Sequence, residues 1–267
     1  MKATWAIARR ELETTILSPV GALVAALFLA CTGTVYFVLA PQLVGRGFVQ
    51  GQPASLALFF ETALWTLVLV APAISMRAIS EEVRAGTLEI LLTAPIRERT
   101  IVIGKFLGAM AFLAIMLLPS ILLVVAVERH GRPDYGEIIA GYLGLLLIGG
   151  ALLASGILAS SLTGSQVMAF LLTVFGWLAL LLVTVGLPIL GGLAGSLAAA
   201  QPDPTAVPLL LRVGRVAGFL AAEANPLVRV RTLLGGLLDS FSVIYFLLFV
   251  GGCLVVADRN LAVRRDA

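Results

Sequence analysis

The sequence predicts an all-α integral membrane protein: six transmembrane helices, an interfacial helix at the N-terminus, and short outer helices between spans five and six. Composition is the first reason. Of 267 residues, 60% are apolar and 12% charged, against roughly 45–50% and about 25% in an average soluble domain. With a mean hydropathy of +1.06, the chain cannot cover a globular surface with polar groups. A soluble enzyme, a disordered tail and a nucleic-acid-binding module are thereby excluded. Spacing is the second reason. A bilayer core about 30 Å thick takes about 20 apolar residues of helix, and the stretches 20–40, 59–76, 101–127, 138–162, 167–190 and 241–257 supply six of them.

Residues 1–19 read as an amphipathic helix. Trp5, Ala8, Leu12 and Ile16 share a face, Arg9, Arg10 and Glu13 lie away from it, and Arg9 and Glu13 form an i, i+4 pair. This helix is expected to rest on the cytoplasmic surface, with Trp5 at headgroup depth and Pro19 stopping it. The apolar run that follows is longer than the about 7–15 residues of a secretory signal, and its leader carries Glu11 and Glu13, so it is expected to be retained as span one. Within the spans, Glu61 and Lys105 read as interfacial. Gly104/Gly108 and Gly156/Ser160 are small-xxx-small pairs that let helices approach closely. Cys31 and Cys253 read as small buried hydrophobes, and the lone His130 as a loop residue.

Basic residues set the orientation. Lys2, Arg9, Arg10, Arg77, Arg84, Arg97, Arg99, Lys105, Arg259, Arg264 and Arg265, eleven of the 18, fall on one side, which the positive-inside rule makes cytoplasmic together with both termini. The net charge of +3 is therefore an orientation signal, and no nucleic-acid partner is expected. The connection 191–240 runs against this count, because Arg212, Arg215, Arg229 and Arg231 lie on the outer side. Asn225-Pro226 there reads as an N-cap with proline at the first helical position, followed by Leu227, Val230, Leu234 and Leu237 at helical spacing. Together with the apolar stretch 209–222, this predicts two short helices that dip into the outer half of the membrane or lie flat on it.

No catalytic, cofactor or metal site is expected in the chain. Gly104-Lys105 is followed by Phe106 and lacks the phosphate-cradling pattern. There is no HExxH or GxSxG, and Ser155 has no histidine or lysine in another span to act as its base. The informative segment is 76–106, MRAISEEVRAGTLEILLTAPIRERTIVIGKF. Ser80 can cap a short acidic helix containing Glu81 and Glu82. Gly86 breaks it, Thr87 can cap a second turn with Leu88, Ile90, Leu91 and Leu92, Pro95 ends that turn, and Thr100 can cap span three. Four exposed apolar residues in a polar loop need a covering surface, and Glu81, Glu82, Arg84 and Glu89 supply a polar rim for one.

This segment resembles the signature cytoplasmic stretch of type-2 ATP-binding-cassette (ABC) permeases, with its acidic helix, Gly-Thr-Leu-Glu core, apolar turn, proline and Gly-Lys at the start of the next span. The stretch NPLVRVRTLLGGLLDSFSVIYFLLFV also resembles the gliding-motility and nitrous-oxide-reductase-maturation subgroup, although Val228, Val230 and Leu233 stand where that subgroup carries phenylalanines. The resemblance implies a single permease domain over 1–267 in the bacterial inner membrane, with 1–19 interfacial, 77–100 a cytoplasmic coupling loop and 191–240 an outer connection. It implies that Glu81, Glu82, Arg84, Gly86, Thr87, Leu88, Glu89, Leu91, Leu92 and Pro95 dock a separate ATPase that holds ATP and Mg. A second permease subunit, identical or related, would pair with this one. Two alternatives remain at this stage. One is an assembly or mechanotransmission subunit acting on a periplasmic accessory protein through the same loop. The other is a membrane enzyme acting on lipid or isoprenoid substrates, which would gather ionisable groups at one membrane face, whereas the acids here are scattered.

Overall fold

The computed structural model describes residues 2–39, 56–87, 97–130, 134–199, 216, 218–219 and 221–266, and among these there is helix but no strand. Helix α1 is Lys2–Leu17, and α2, Pro19–Thr34, continues as a π-helical turn over Val35–Leu39. Then come α3, Ala57–Ser75, the short α4, Ser80–Ala85, and α5, Glu98–Leu117. Pro119 sits in a 3-10 turn, Leu118–Ser120, that joins α5 to α6, Ile121–His130. The remaining helices are α7, Tyr135–Leu162, α8, Gln166–Ala199, α9, Pro226–Leu234, and α10, Ser240–Asp266.

Among the described residues, six helical stretches are long and apolar enough to cross a membrane: Pro19–Phe37, Ala57–Ala85, Glu98–Val125, Tyr135–Leu162, Gln166–Leu193 and Ser240–Arg265. Each overlaps a span expected from hydropathy. The sixth is longer than 241–257, because α10 stays helical through Arg259, Arg264 and Arg265. Hydropathy ends where charge begins, but a helix does not, and the arginines of the last turn suit its negative end.

Contacts divide the chain into two compact units, 1–174 with 232–267, and 175–231. In the first unit α7 is the central helix, packed on α3, α5 and α10. Its glycines explain the position. A Cβ at Gly141 would land on the Phe60 ring, at Gly149 on Leu113 and at Gly156 on the Ser75 hydroxyl, so each glycine admits a neighbour where a side chain would block it. The expected close approach at Gly156 is therefore present. Around Gly141, Phe59 and Phe60 pack with Tyr142, whose hydroxyl lies 2.8 Å from Ser120 Oγ.

In the second unit, Asn225 caps α9 as its sequence predicts. The Leu227 N–H donates to Asn225 Oδ1 at 2.9 Å, and Pro226 opens the helix. Glu223 pairs with Arg229 and also accepts from it through its backbone carbonyl at 3.1 Å. Helix α9 runs past the end of that unit at Arg231 and stops at Leu234, before Leu237. Gly236, at φ +86, turns the chain, leaving Leu237 exposed while Val230, Leu233 and Leu234 are buried. Arg231 is exposed, and Arg212 and Arg215 lie outside the described residues.

Candidate functional site

The chain leaves α3 through a turn at 76–79 and enters α4, a helix of six residues. A helix this short cannot stabilise itself, so its ends must be held from elsewhere. At its start, Ser160 Oγ on α7 accepts the N–H groups of Ile79 at 2.9 Å and Ser80 at 2.8 Å, and donates to Met76 O at 3.2 Å. The expected cap, Ser80, plays no such part. Ser80 is the first helical residue, and its hydroxyl turns back to Met76 O. Ser160 thus caps α4 across the fold rather than serving only as a small packing residue. At the other end, Gly86 in the left-handed region, φ +69, closes the helix as predicted. Thr87 donates back to Glu82 O at 3.4 Å instead of capping a second turn.

One face of α4 is buried and the other is open. Ile79 packs with Ile101 and Val102 of α5, Ile157 of α7 and Leu261 of α10, with Val83 against the same cluster. Glu81, paired with Arg77 at 3.2 Å, and Arg84 face outward. Glu82 turns in. Its Oε1 lies 2.8 Å from Lys105 Nζ, and Glu11 Oε2 of α1 lies 3.4 Å from the same nitrogen. Lys105 is buried within the protein, 3% exposed. A lysine one turn inside an apolar span needs a counter-charge, and two acids of neighbouring elements provide it. Burial pushes the Glu11 carboxyl above the ordinary carboxylate range; Lys105 opposes this and the nearby Glu82 adds to it.

Helix α1 reaches Lys105 by lying directly on α5. At Gly104 a Cβ would stand 2.8 Å from Ile7 Cβ, and at Gly108 2.7 Å from Glu11 Cβ. The seam fixes which face of α1 turns inward: Thr4, Ile7, Ala8 and Glu11. The face expected to meet the membrane surface, Trp5, Leu12 and Ile16, is therefore not the one that packs on α5. Trp5 is 71% exposed and Ile16 also points away, while Leu12 is half-buried. The Arg9–Glu13 pair is present at 2.7 Å on the exposed side, and Arg10 is exposed beside it. Pro19 does not simply stop α1. It opens α2 behind a Ser18 cap, whose hydroxyl accepts from Gly21 N at 2.9 Å.

A cavity of about 310 Å³ lies between α1 and α4, lined by Arg10, Glu11, Thr14, Glu81, Glu82 and Lys105 among others. The residues expected to follow α4, namely Leu88, Glu89, Ile90, Leu91, Leu92 and Pro95, lie outside the described residues.

A family profile described as ABC-2 family transporter protein matches residues 5–251. The chain belongs to that family. No curated protein matches it. The matched range runs from α1 into the first half of α10, and with six apolar helices among the described residues it makes this chain a multi-pass membrane component, a type-2 ABC permease.

In this permease the end of the bundle that carries α4 is closed by ion pairs that the sequence reading missed. Arg99 Nε lies 3.0 Å from Asp258 Oδ2, and Arg265 Nη1 lies 2.5 Å from Glu98 Oε1, so α5 and α10 are joined twice. Asn260 adds a 3.3 Å bond to Ser161 of α7. Of this stretch, the sequence reading counts only Arg259, Arg264 and Arg265, as orientation charges, and passes over Asp258 and Asn260. The available signal was their spacing, since 258, 261 and 265 share one helical face with the apolar Ala257. The expected Thr100 cap is absent; α5 begins at Glu98 without a side-chain cap.

Proposed function

We propose that this chain is the permease subunit of an ATP-driven ABC complex and that α4, continued by 88–95, is the coupling element gripped by a separate ATPase subunit, which holds the ATP and Mg. The observation that carries this is a six-residue helix with its inner face built into α5, α7 and α10 and its outer face, Glu81 and Arg84, left open. A loop required only to connect two spans would not need a cap donated from another helix. A push on such an element passes into the bundle because the bundle holds it. Windows of α2, α8 and α10 are 28%, 22% and 17% buried, against 61% for α7. That leaves apolar faces for lipid and for a second permease subunit, identical or related. We assign the α4 end to the cytoplasm of a bacterial inner membrane, because arginines 77, 84, 97, 99, 259, 264 and 265 lie in or beside α4 and at the adjoining ends of α5 and α10, with Arg9 and Arg10 on α1, which packs on α5. The Asn225-Pro226 start of α9 supports the gliding-motility and nitrous-oxide-reductase-maturation subgroup.

Two experiments test this reading. Leu91→Asp combined with Leu92→Asp is expected to insert normally yet reduce ATPase co-purification about tenfold or more, since a desolvated contact then holds unpaired charge. Normal ATPase yield would refute the docking assignment. Arg97→Cys is expected to react with an impermeant maleimide only from the cytoplasmic side of oriented membranes; labelling in intact cells would invert the topology.

A further inference from the structure

Lys105 has more counter-charge than neutralisation requires. Its side chain is 4% exposed and is met by Glu11 of α1 and Glu82 of α4. One carboxylate would balance the charge; the second is held in at a cost. Burial raises the Glu11 carboxyl, and Glu82 Oε2 is buried with no hydrogen-bond partner among the described residues. A buried polar atom left unpaired calls for a reason. The connectivity supplies one. Helix α1 is fastened to α5 by the Gly104/Gly108 seam, and α4 is fastened to α7 by Ser160. Between α1 and α4 there is no broad packed face, and the 310 Å³ cavity opens there. The chain Glu11–Lys105–Glu82 bridges that gap.

We propose that Lys105 is a positioning residue that locks α4 and α1 onto α5 as one rigid lever, so that force on α4 moves all three helices together. This rests on the reading of α4 as the coupling element. Without the tie, α4 can yield into the cavity, and a push is absorbed locally rather than passed to the spans. Attachment alone does not couple; the linked parts must change state together.

The full chain in nanodiscs of phosphatidylethanolamine and phosphatidylglycerol gives the first test, by amide hydrogen exchange. Lys105→Met is expected to raise exchange of the α4 amides at least tenfold while α1 and α5 stay protected by their glycine seam. Lys105→Arg, which keeps a donor for both acids, is expected to restore α4. Unchanged α4 protection in Lys105→Met overturns the proposal, and so does joint opening of α1, α4 and α5, which marks general loss of fold. The second test uses the complex with its ATPase subunit, spin-labelled at Thr14→Cys and Ala85→Cys. With the native lysine, the label separation is expected to be the same in ADP and in a non-hydrolysable ATP analogue; in Lys105→Met it is expected to differ. A nucleotide-dependent separation with the native lysine overturns the lever. If no ATPase joins the unaltered permease, the coupling reading itself fails, and the exchange result is unaffected.

Discussion

Ser160→Ala is expected to cost about 2–4 kcal/mol at the start of α4, the largest local effect of any single hydroxyl in the described bundle. Ser160, Ile79 and Ser80 are each fully buried, so removing the hydroxyl leaves two backbone donors without an acceptor and without water. Each such orphan costs about 1–3 kcal/mol, and some of that is recovered when the short helix opens to solvent. Exchange at the Ile79 and Ser80 amides should therefore rise about 30-fold or more, at about 1.4 kcal/mol per factor of ten. Protection of α7 itself should persist, because Ser160 contributes no bond to its own helix that alanine lacks. Ser161→Ala is the matched control. Its hydroxyl donates within α7 to Leu158 O and accepts a 3.3 Å bond from Asn260, so its loss should cost about 1 kcal/mol. Equal effects at 160 and 161 would show that α4 is not capped from α7.

The spans and the two small-residue pairs were legible because apolar length and small-residue spacing are local properties of a sequence. The N-cap at Asn225 and the break at Gly86 were legible for the same reason: each acts within its own turn. What failed to read was everything that depends on a second element. Ser80 has the chemistry of a cap but stands one residue inside the helix, and the cap arrives from Ser160, 80 residues on. Lys105 looks interfacial by its depth in the span, and its burial follows only once Glu11 and Glu82 are brought to it. The face of α1 that packs on α5 was not legible because amphipathicity ranks residues by area, whereas the partner surface, a pair of glycines, selects for closeness of backbone. Arg265 read only as an orientation charge because hydropathy cannot distinguish a charged helix end from a charged coil.

That preference for closeness makes Gly108 the most sensitive position of the α1 contact, and Gly108→Val is expected to lift α1 from α5. Helix propensity argues the other way: replacing a mid-helix glycine by alanine gains up to about 1 kcal/mol. Gly251→Ala on α10 should show that gain or no change, since a Cβ there meets nothing within 4 Å. At Gly108 the Cβ would stand 2.8 Å from Ala8 O, a backbone atom that no rotamer change can move, and 2.7 Å from Glu11 Cβ. Overpacking costs about 1–3 kcal/mol, which cancels or exceeds the propensity gain for alanine, and the two further methyls of valine take the balance well past it. Exchange of the α1 amides should rise at least tenfold, and Glu11 should be drawn off Lys105 as its helix leaves. Glu11→Ala placed in the Gly108→Val background should not restore α1, because the obstruction at Ala8 O remains. Recovery of α1 protection in that double variant would mean that the side chain of Glu11, rather than the backbone of α1, sets the distance between the two helices.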